Sequence, residues 1–423
     1  MGWSYTAFVK VTPLLFNSLL KESAVAISLP AAYVIIPASL GIGKTEVRDM
    51  KHRLVAGLVT AGLVMLVNLP IRDRSAVYAQ QQTTANAGFT DAELQQFAAL
   101  NPIDTHTHIY TDDPLYGSML EKLHLHTIDI ADVDDRGLPA RRDLAKENEI
   151  ILGLVHKSSG HVFACTTFDP YRVSDPDFQK DAIRTLNASF AEGAIAVKEW
   201  KNVGMEVKNA KGAYILPDDP ALEPIYRDIA AHHRTLITHI ADLSSAWMPP
   251  DPNASDQSYY RQHPEWFMYN FAGAPSKQQI LDARNHILAA NPNLKMVGAH
   301  FGSMETDFKQ LAATLDKYPN FAVDVASRLN FLQRLPKDEA IAFVTKYQDR
   351  LIYGTDNTIY PDENMEHSVQ GEEAGYARDW RYLATDKVSS SRGREVQGLG
   401  LPESVLRKIY HDNAVRWFPG MKM

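Results

Sequence analysis

Lys295-Met296-Val297-Gly298-Ala299-His300 is a short apolar run that closes on a histidine, and the same pattern recurs along the chain. Ile103-Asp104 leads into Thr105-His106-Thr107-His108, Ala194-Ile195-Ala196-Val197 into Lys198, and Thr235-Leu236-Ile237-Thr238 into His239. Arg350-Leu351-Ile352-Tyr353-Gly354-Thr355 leads into Asp356. Residues 127–131, 162–167 and 321–327 read as three more strands. Amphipathic stretches of helical period lie between most of them, at 177–191, 222–233, 276–290 and 303–317. Strands alternating with helices imply parallel βαβ units. Eight of them over about 255 residues match the ~250 residues of an α/β fold of the (β/α)8 TIM-barrel type.

The polar residues are placed unusually. His108, Lys198, His239, His300 and Asp356 each close an apolar strand at its C-terminal end. In such a barrel those ends meet on one face, where active sites are built. Strand alternation puts Gly298 on the face shared with His300, and Ala194 and Ala196 on the face shared with Lys198. His106 and His108, two residues apart, point to the same side and can grip one ion. A third imidazole from His239 and a carboxylate from Asp356 complete a donor set suited to zinc or another divalent cation. Such a cation lowers the pKa of bound water to ~7.

Composition sets the outer bounds. The chain has 423 residues, 45% of them hydrophobic and 22% charged, so most of it can bury a core. One cysteine, Cys165, forms no internal disulfide and no thiolate zinc cluster, and reads as a small buried apolar residue. Residues 1–79 carry a net +4 and the remainder −12. A body at −12 without long basic clusters excludes nucleic acid as a partner.

The N-terminus reads as processing sequence. Met50-Lys51-His52-Arg53 precedes the uncharged run 54–67, and Ala76-Val77-Tyr78-Ala79 supplies an A-x-A site before Gln80. The run is shorter than the ~20 apolar residues of a membrane span. Residues 50–79 are therefore expected to be a signal peptide, with export to the periplasm or beyond and no stable membrane partner afterwards; a membrane anchor is the alternative. Residues 1–49 form an apolar extension, with 29–40 a second apolar run and Met50 a candidate start. Residues 38–45 (ASLGIGKT) fit a relaxed phosphate loop by chance, since no nucleotide domain surrounds them. Residues 80–101 are expected as a linker and first helix, and 102–418 as the catalytic domain.

The set Asp104-Thr105-His106-Thr107-His108, Lys198, His239, Gly298-Ala299-His300 and Tyr353-Gly354-Thr355-Asp356 resembles the amidohydrolase superfamily. It is most similar to the amidohydrolase-related branch, which also holds nonoxidative aromatic-acid decarboxylases. The stretch 404–414 resembles the helix that ends this branch, and the likeness covers about residues 100–418. The resemblance implies that His106, His108 and Asp356 bind the more buried metal. His239 would bind that metal or a second one, and His300 a second metal or the substrate. Asp356 would also take the proton from the attacking water and pass it to the leaving group, with Asp104 orienting a histidine or capping the strand end rather than binding metal. Lys198 has two readings: a carbamate bridging two metals, or an unmodified amine that pairs with Glu199 or holds a substrate carboxylate.

Asp324 and Arg328, near the seventh strand's end, read first as ion-pairing residues. Arg328, Trp247 and Lys198 are also the candidates for substrate contact. Residues 240–275 form the longest irregular insert, rich in aromatics, and read equally as a lid or as a packing or dimer-contact loop. The acidic stretch 362–373 reads as a solvated loop. The expected activity is metal-dependent hydrolysis of an amide, lactone or ester by metal-activated water, on one or two divalent ions: zinc first, with manganese, iron and cobalt also suited. The alternative is nonoxidative decarboxylation, which on this scaffold needs one metal. The partner is a small molecule, and a homodimer is left open.

Overall fold

The computed structural model describes residues 8–10, 33–35, 88–133, 143–251, 256–361, 364–391 and 394–421. The expected signal peptide and the phosphate-loop-like run lie outside them, as does all of the extension except two short strands. The chain divides into two units, Met1–Asp73 and Arg74–Met423. In the first, Phe8–Lys10 pairs antiparallel with Tyr33–Ile35.

The second unit is a TIM barrel. Its parallel strands are β1 (Ile103–Ile109), β2 (His126–Ile130), β3 (Val162–Thr167), β4 (Ala196–Glu199), β5 (Thr235–Thr238), β6 (Lys295–Gly298), β7 (Phe321–Asp324), β8 (Leu351–Ile352) and β9 (Asn357–Ile359), each bonded to its neighbour in sequence except β8 to β9. β8 pairs with β7 and β9 with β1. The two are halves of one eighth strand, split around Asp356, and hydrogen bonds from Thr105 N to Tyr353 O (3.1 Å) and Asp356 N to His106 O (2.7 Å) carry the closure across the gap.

Helix boundaries follow local chemistry. Ser276 and Gln279 form a capping box at the start of Lys277–Ala290, and Asp307 caps Phe308–Lys317. Inside the barrel, Ile128, Cys165, Ala196, Ile237, Val297 and Ala322 pack together, and Trp417 and Phe418 of the C-terminal segment join this cluster. A larger apolar layer between strands and helices completes the core. No helix among the described residues is long and apolar enough to cross a membrane.

Three sequence expectations need correction. The sixth strand stops at Gly298, and His300, Phe301, Gly302 and Ser303 follow in left-handed conformation. Alternation therefore does not aim His300; a tight turn does. That turn demands glycine at 298, where a Cβ would sit 2.6 Å from the Phe321 ring and 2.7 Å from the Gly302 backbone. The acidic stretch expected as a loop is largely helical: Met365–Ala384 starts behind the Asn364 cap, and its Glu373 pairs with Lys122. The insert 240–275 carries short helical pieces, Ser244–Trp247, Gln257–Gln262, Pro264–Trp266 and Met268–Asn270, with Tyr260, Trp266 and Phe267 buried.

Candidate active site

The register of β1 shifts between Asp104 and Thr107. The irregularity lets Ile103 and His106, three residues apart, both face the barrel interior. Asp104 turns outward. It accepts from His106 N, Thr355 N, Thr355 Oγ1 and Tyr376 Oη, and burial lifts its pKa to about 6. It thus fixes the backbone that presents His106.

Two imidazoles are oriented from behind. His106 Nδ1 donates to Asp324 Oδ2 at 2.9 Å, and His108 Nδ1 donates to the Ile130 carbonyl at 3.1 Å. Each ring therefore keeps its lone pair on Nε2. Asp356 Oδ1 lies 3.3 Å from His106 Nε2 and 3.5 Å from His108 Nε2, while Ser327 Oγ donates to Oδ2 at 3.2 Å. The backbone at Asp356 is left-handed (φ 68°), set by the break between β8 and β9.

Ligand-type atoms of His106, His108 and Asp356 fall within 4.8 Å of one another, and so do those of His106, His300 and Asp324. Asp324 is nonetheless committed elsewhere: its Oδ1 accepts from His300 N (2.7 Å) and Ala326 N (3.1 Å). It holds two histidines in place rather than meeting substrate. His300 Nδ1 donates to the Ala326 carbonyl, and its ring sits 5.0 Å from that of His106 and 4.4 Å from that of His239. Burial drives the His300 pKa well below its ordinary value and that of His239 to about 3, so both rings are neutral. Imidazoles at His106, His108 and His300 with their outer nitrogens already bonded, beside an aspartate carboxylate, fit a divalent cation.

Lys198 is wholly buried among these groups, with Nζ 3.0 Å from His106 Nε2 and 5.1 Å from the Trp200 ring. Burial pushes its pKa down. The expected pairing with Glu199 does not form. Alternation turns Glu199 to the opposite face, where Tyr226 Oη meets its Oε1 at 2.8 Å. Arg328 donates to the Ser327 carbonyl, and no carboxylate among the described residues pairs with it. Its charge is among those that depress His300. Trp247, half-buried, donates its indole N–H to the Pro275 carbonyl, which places it within the fold of the insert.

Sequence reasoning overlooked four neighbours. Trp200 shares the face of Lys198 by alternation, and its ring stands 5.4 Å from that of His108. Ser327 reaches Asp356 through a turn that no pattern announces. Lys201 and Asp242 form a buried ion pair beside His239.

Solved structures similar to this chain include a 2,6-dihydroxybenzoate decarboxylase from Rhizobium, at 15% identity over 75% of this chain and 98% of that one, TM-score 0.41. A probable 2-pyrone-4,6-dicarboxylic acid hydrolase from Acinetobacter baumannii is similar at 13% identity, over 75% and 99%, TM-score 0.42. A dihydroxybenzoic acid decarboxylase from a Polaromonas species, with bound manganese, is similar at 15% identity, over 76% and 98%, TM-score 0.40. No curated protein sequence matches. The amidohydrolase family model matches residues 103–420, which span the whole barrel and the C-terminal helix, and the chain belongs to that family of enzymes.

Proposed function

We propose that this protein is a metal-dependent hydrolase that cleaves a C–N or C–O bond (amide, lactone or ester) of a small molecule. The observation that carries this reading is the position of Asp356: one oxygen faces two imidazole nitrogens, while 30% of its side chain stays exposed. His106, His108 and Asp356 would hold the cation, with His239 and His300 beside them. A divalent cation bound there supplies Lewis acidity, polarising a carbonyl and acidifying water.

The chain's own groups do the rest. Asp324 and the Ile130 carbonyl keep the two β1 imidazoles in the tautomer that presents Nε2. Asp356 takes a proton from the attacking water on the carboxylate that Ser327 steadies, then returns it to the leaving group. His300, neutral and tethered through Nδ1, offers Nε2 as an acceptor.

Nonoxidative decarboxylation is the second reading. It is favoured by the fact that both sets of close ligand atoms share His106 and neither includes His239, a one-metal arrangement. A single experiment separates the two. Metal-loaded enzyme is screened against esters, lactones, amides and aromatic acids in water labelled with heavy oxygen and deuterium. Hydrolysis places the oxygen label in a product carboxyl; carbon dioxide release with deuterium on carbon would overturn the hydrolase reading.

A further inference from the structure

Lys201 lies three residues beyond Lys198, 5% exposed, and each of its ammonium hydrogens has a partner. Nζ stands 2.9 Å from both Asp242 oxygens and 2.9 Å from Tyr259 Oη, and 4.2 Å from the centre of the Trp266 ring. These partners come from separate stretches. Asp242 follows β5 closely, whereas Tyr259 and Trp266 belong to the middle of the 240–275 insert. One cation therefore fastens two points of the insert to the loop after β4.

The same pair reaches the metal site. Asp242 Oδ1 lies 3.5 Å from His239 Nε2, which has no closer polar partner among the described residues. A carboxylate on the Nε2 side of a neutral imidazole favours the tautomer with its proton on Nε2 and its lone pair on Nδ1. Both Asp242 oxygens are bonded to Lys201, so the carboxylate is steered to support the ring rather than to compete for a cation. Burying two charges is costly unless the geometry is this complete, and a plain packing contact would not call for it.

We propose that Lys201 is a positioning residue: it locks the 240–275 insert at the strand ends and, through Asp242, sets which nitrogen of His239 faces the metal. The proposal rests on the metal-site reading above. Its test uses the full chain and zinc alone. Zinc affinity is measured by competition with a chromogenic chelator, alongside proteolytic cleavage within 240–275. Two variants are compared with wild type, Lys201→Met and the double variant Lys201→Met/Asp242→Leu.

Lys201→Met should bind zinc ~10–100-fold more weakly, the usual effect of losing a group that orients a ligand, and should be cut faster in the insert. The double variant removes both charges. It should regain resistance to cleavage, since an apolar pair replaces a buried ionic one at little cost, yet keep the weakened zinc affinity. If the double variant recovers wild-type affinity, Lys201 acts on folding alone and the proposal is overturned. Unchanged affinity in both variants overturns it as well. Wild type that binds no zinc would instead sink the metal-site reading itself, which keeps the two failures distinguishable.

Discussion

Lys198 and Lys201 are three residues apart and equally hidden from water, and their surroundings make them opposites. Lys198 ends among imidazoles, with a neutral ring nitrogen as its near neighbour, and burial pushes its pKa down. For Lys201 burial works in the same direction, but Asp242 and Tyr259 outweigh it and hold the ammonium charged. Burial would also raise the Asp242 pKa, yet Lys201 and His239 pull it well below the carboxylate range. One region leaves its polar groups facing each other with hydrogen-bonding capacity to spare; the other gives each hydrogen of the Lys201 ammonium a partner. On the function and the positioning role proposed above, reactive chemistry belongs to the first and mechanical integrity to the second.

The sharpest way to break this contrast is on the reactive side. Asp356→Asn keeps the shape and one coordinating oxygen but accepts no proton at neutral pH. Turnover should fall ~10²–10⁴-fold, with metal retained and melting temperature unchanged. Steady-state kinetics and metal analysis on the same sample check it; wild-type turnover with metal in place would remove Asp356 from the proton path. His106→Ala should lose bound metal as well as activity while the barrel stays folded, because apolar layers supply most of its stability. Circular dichroism and elemental analysis read the two effects separately.

On the matched side the expectation inverts. Lys201→Met strands a buried carboxylate and should cost about 3–5 kcal/mol of stability. Lys198→Met removes an amine that has no carboxylate bonded to it, and should shift stability by less than ~1.5 kcal/mol in either direction. Denaturant titration of the two variants decides the point: equal losses would mean that the two lysines are not different in kind.

A further effect, read in the pH dependence, concerns Glu199, which lies between the two lysines in sequence. Burial lifts its pKa from the ordinary 4.5 to about 8, and its Oε2 has no hydrogen-bond partner among the described residues. The folded state therefore keeps a proton that the unfolded chain gives up at lower pH. Its stability contribution is full below about 4.5 and is lost as the pH rises through about 8. Glu199→Gln removes that dependence. Its melting temperature should gain on wild type by several degrees between pH 5 and pH 8, and parallel melting curves across this range would contradict the burial argument.

Much of this architecture was legible in the chain itself. Apolar runs separated by amphipathic stretches specify parallel βαβ units because a parallel strand must be covered by helices. The residues that end those runs then share one rim, whatever the details of packing. That logic placed His106, His108, Lys198, His239, His300 and Asp356 at one end of the barrel without any coordinates.

What it could not reach were arrangements decided by contacts distant in sequence. The β1 bulge, the left-handed turn at His300 and the break in the eighth strand each aim a side chain against simple alternation, and each is held by bonds to other strands: Asp104 to Thr355, His300 to Asp324, Asp356 to His106. The Lys201–Asp242 pair joins residues 41 positions apart. Periodicity reports only which face of an element is apolar. Which lysine finds a carboxylate, and so keeps its charge, is fixed when the fold brings the β4 and β5 loops together, because a charge's energy depends on its neighbours in space rather than in sequence.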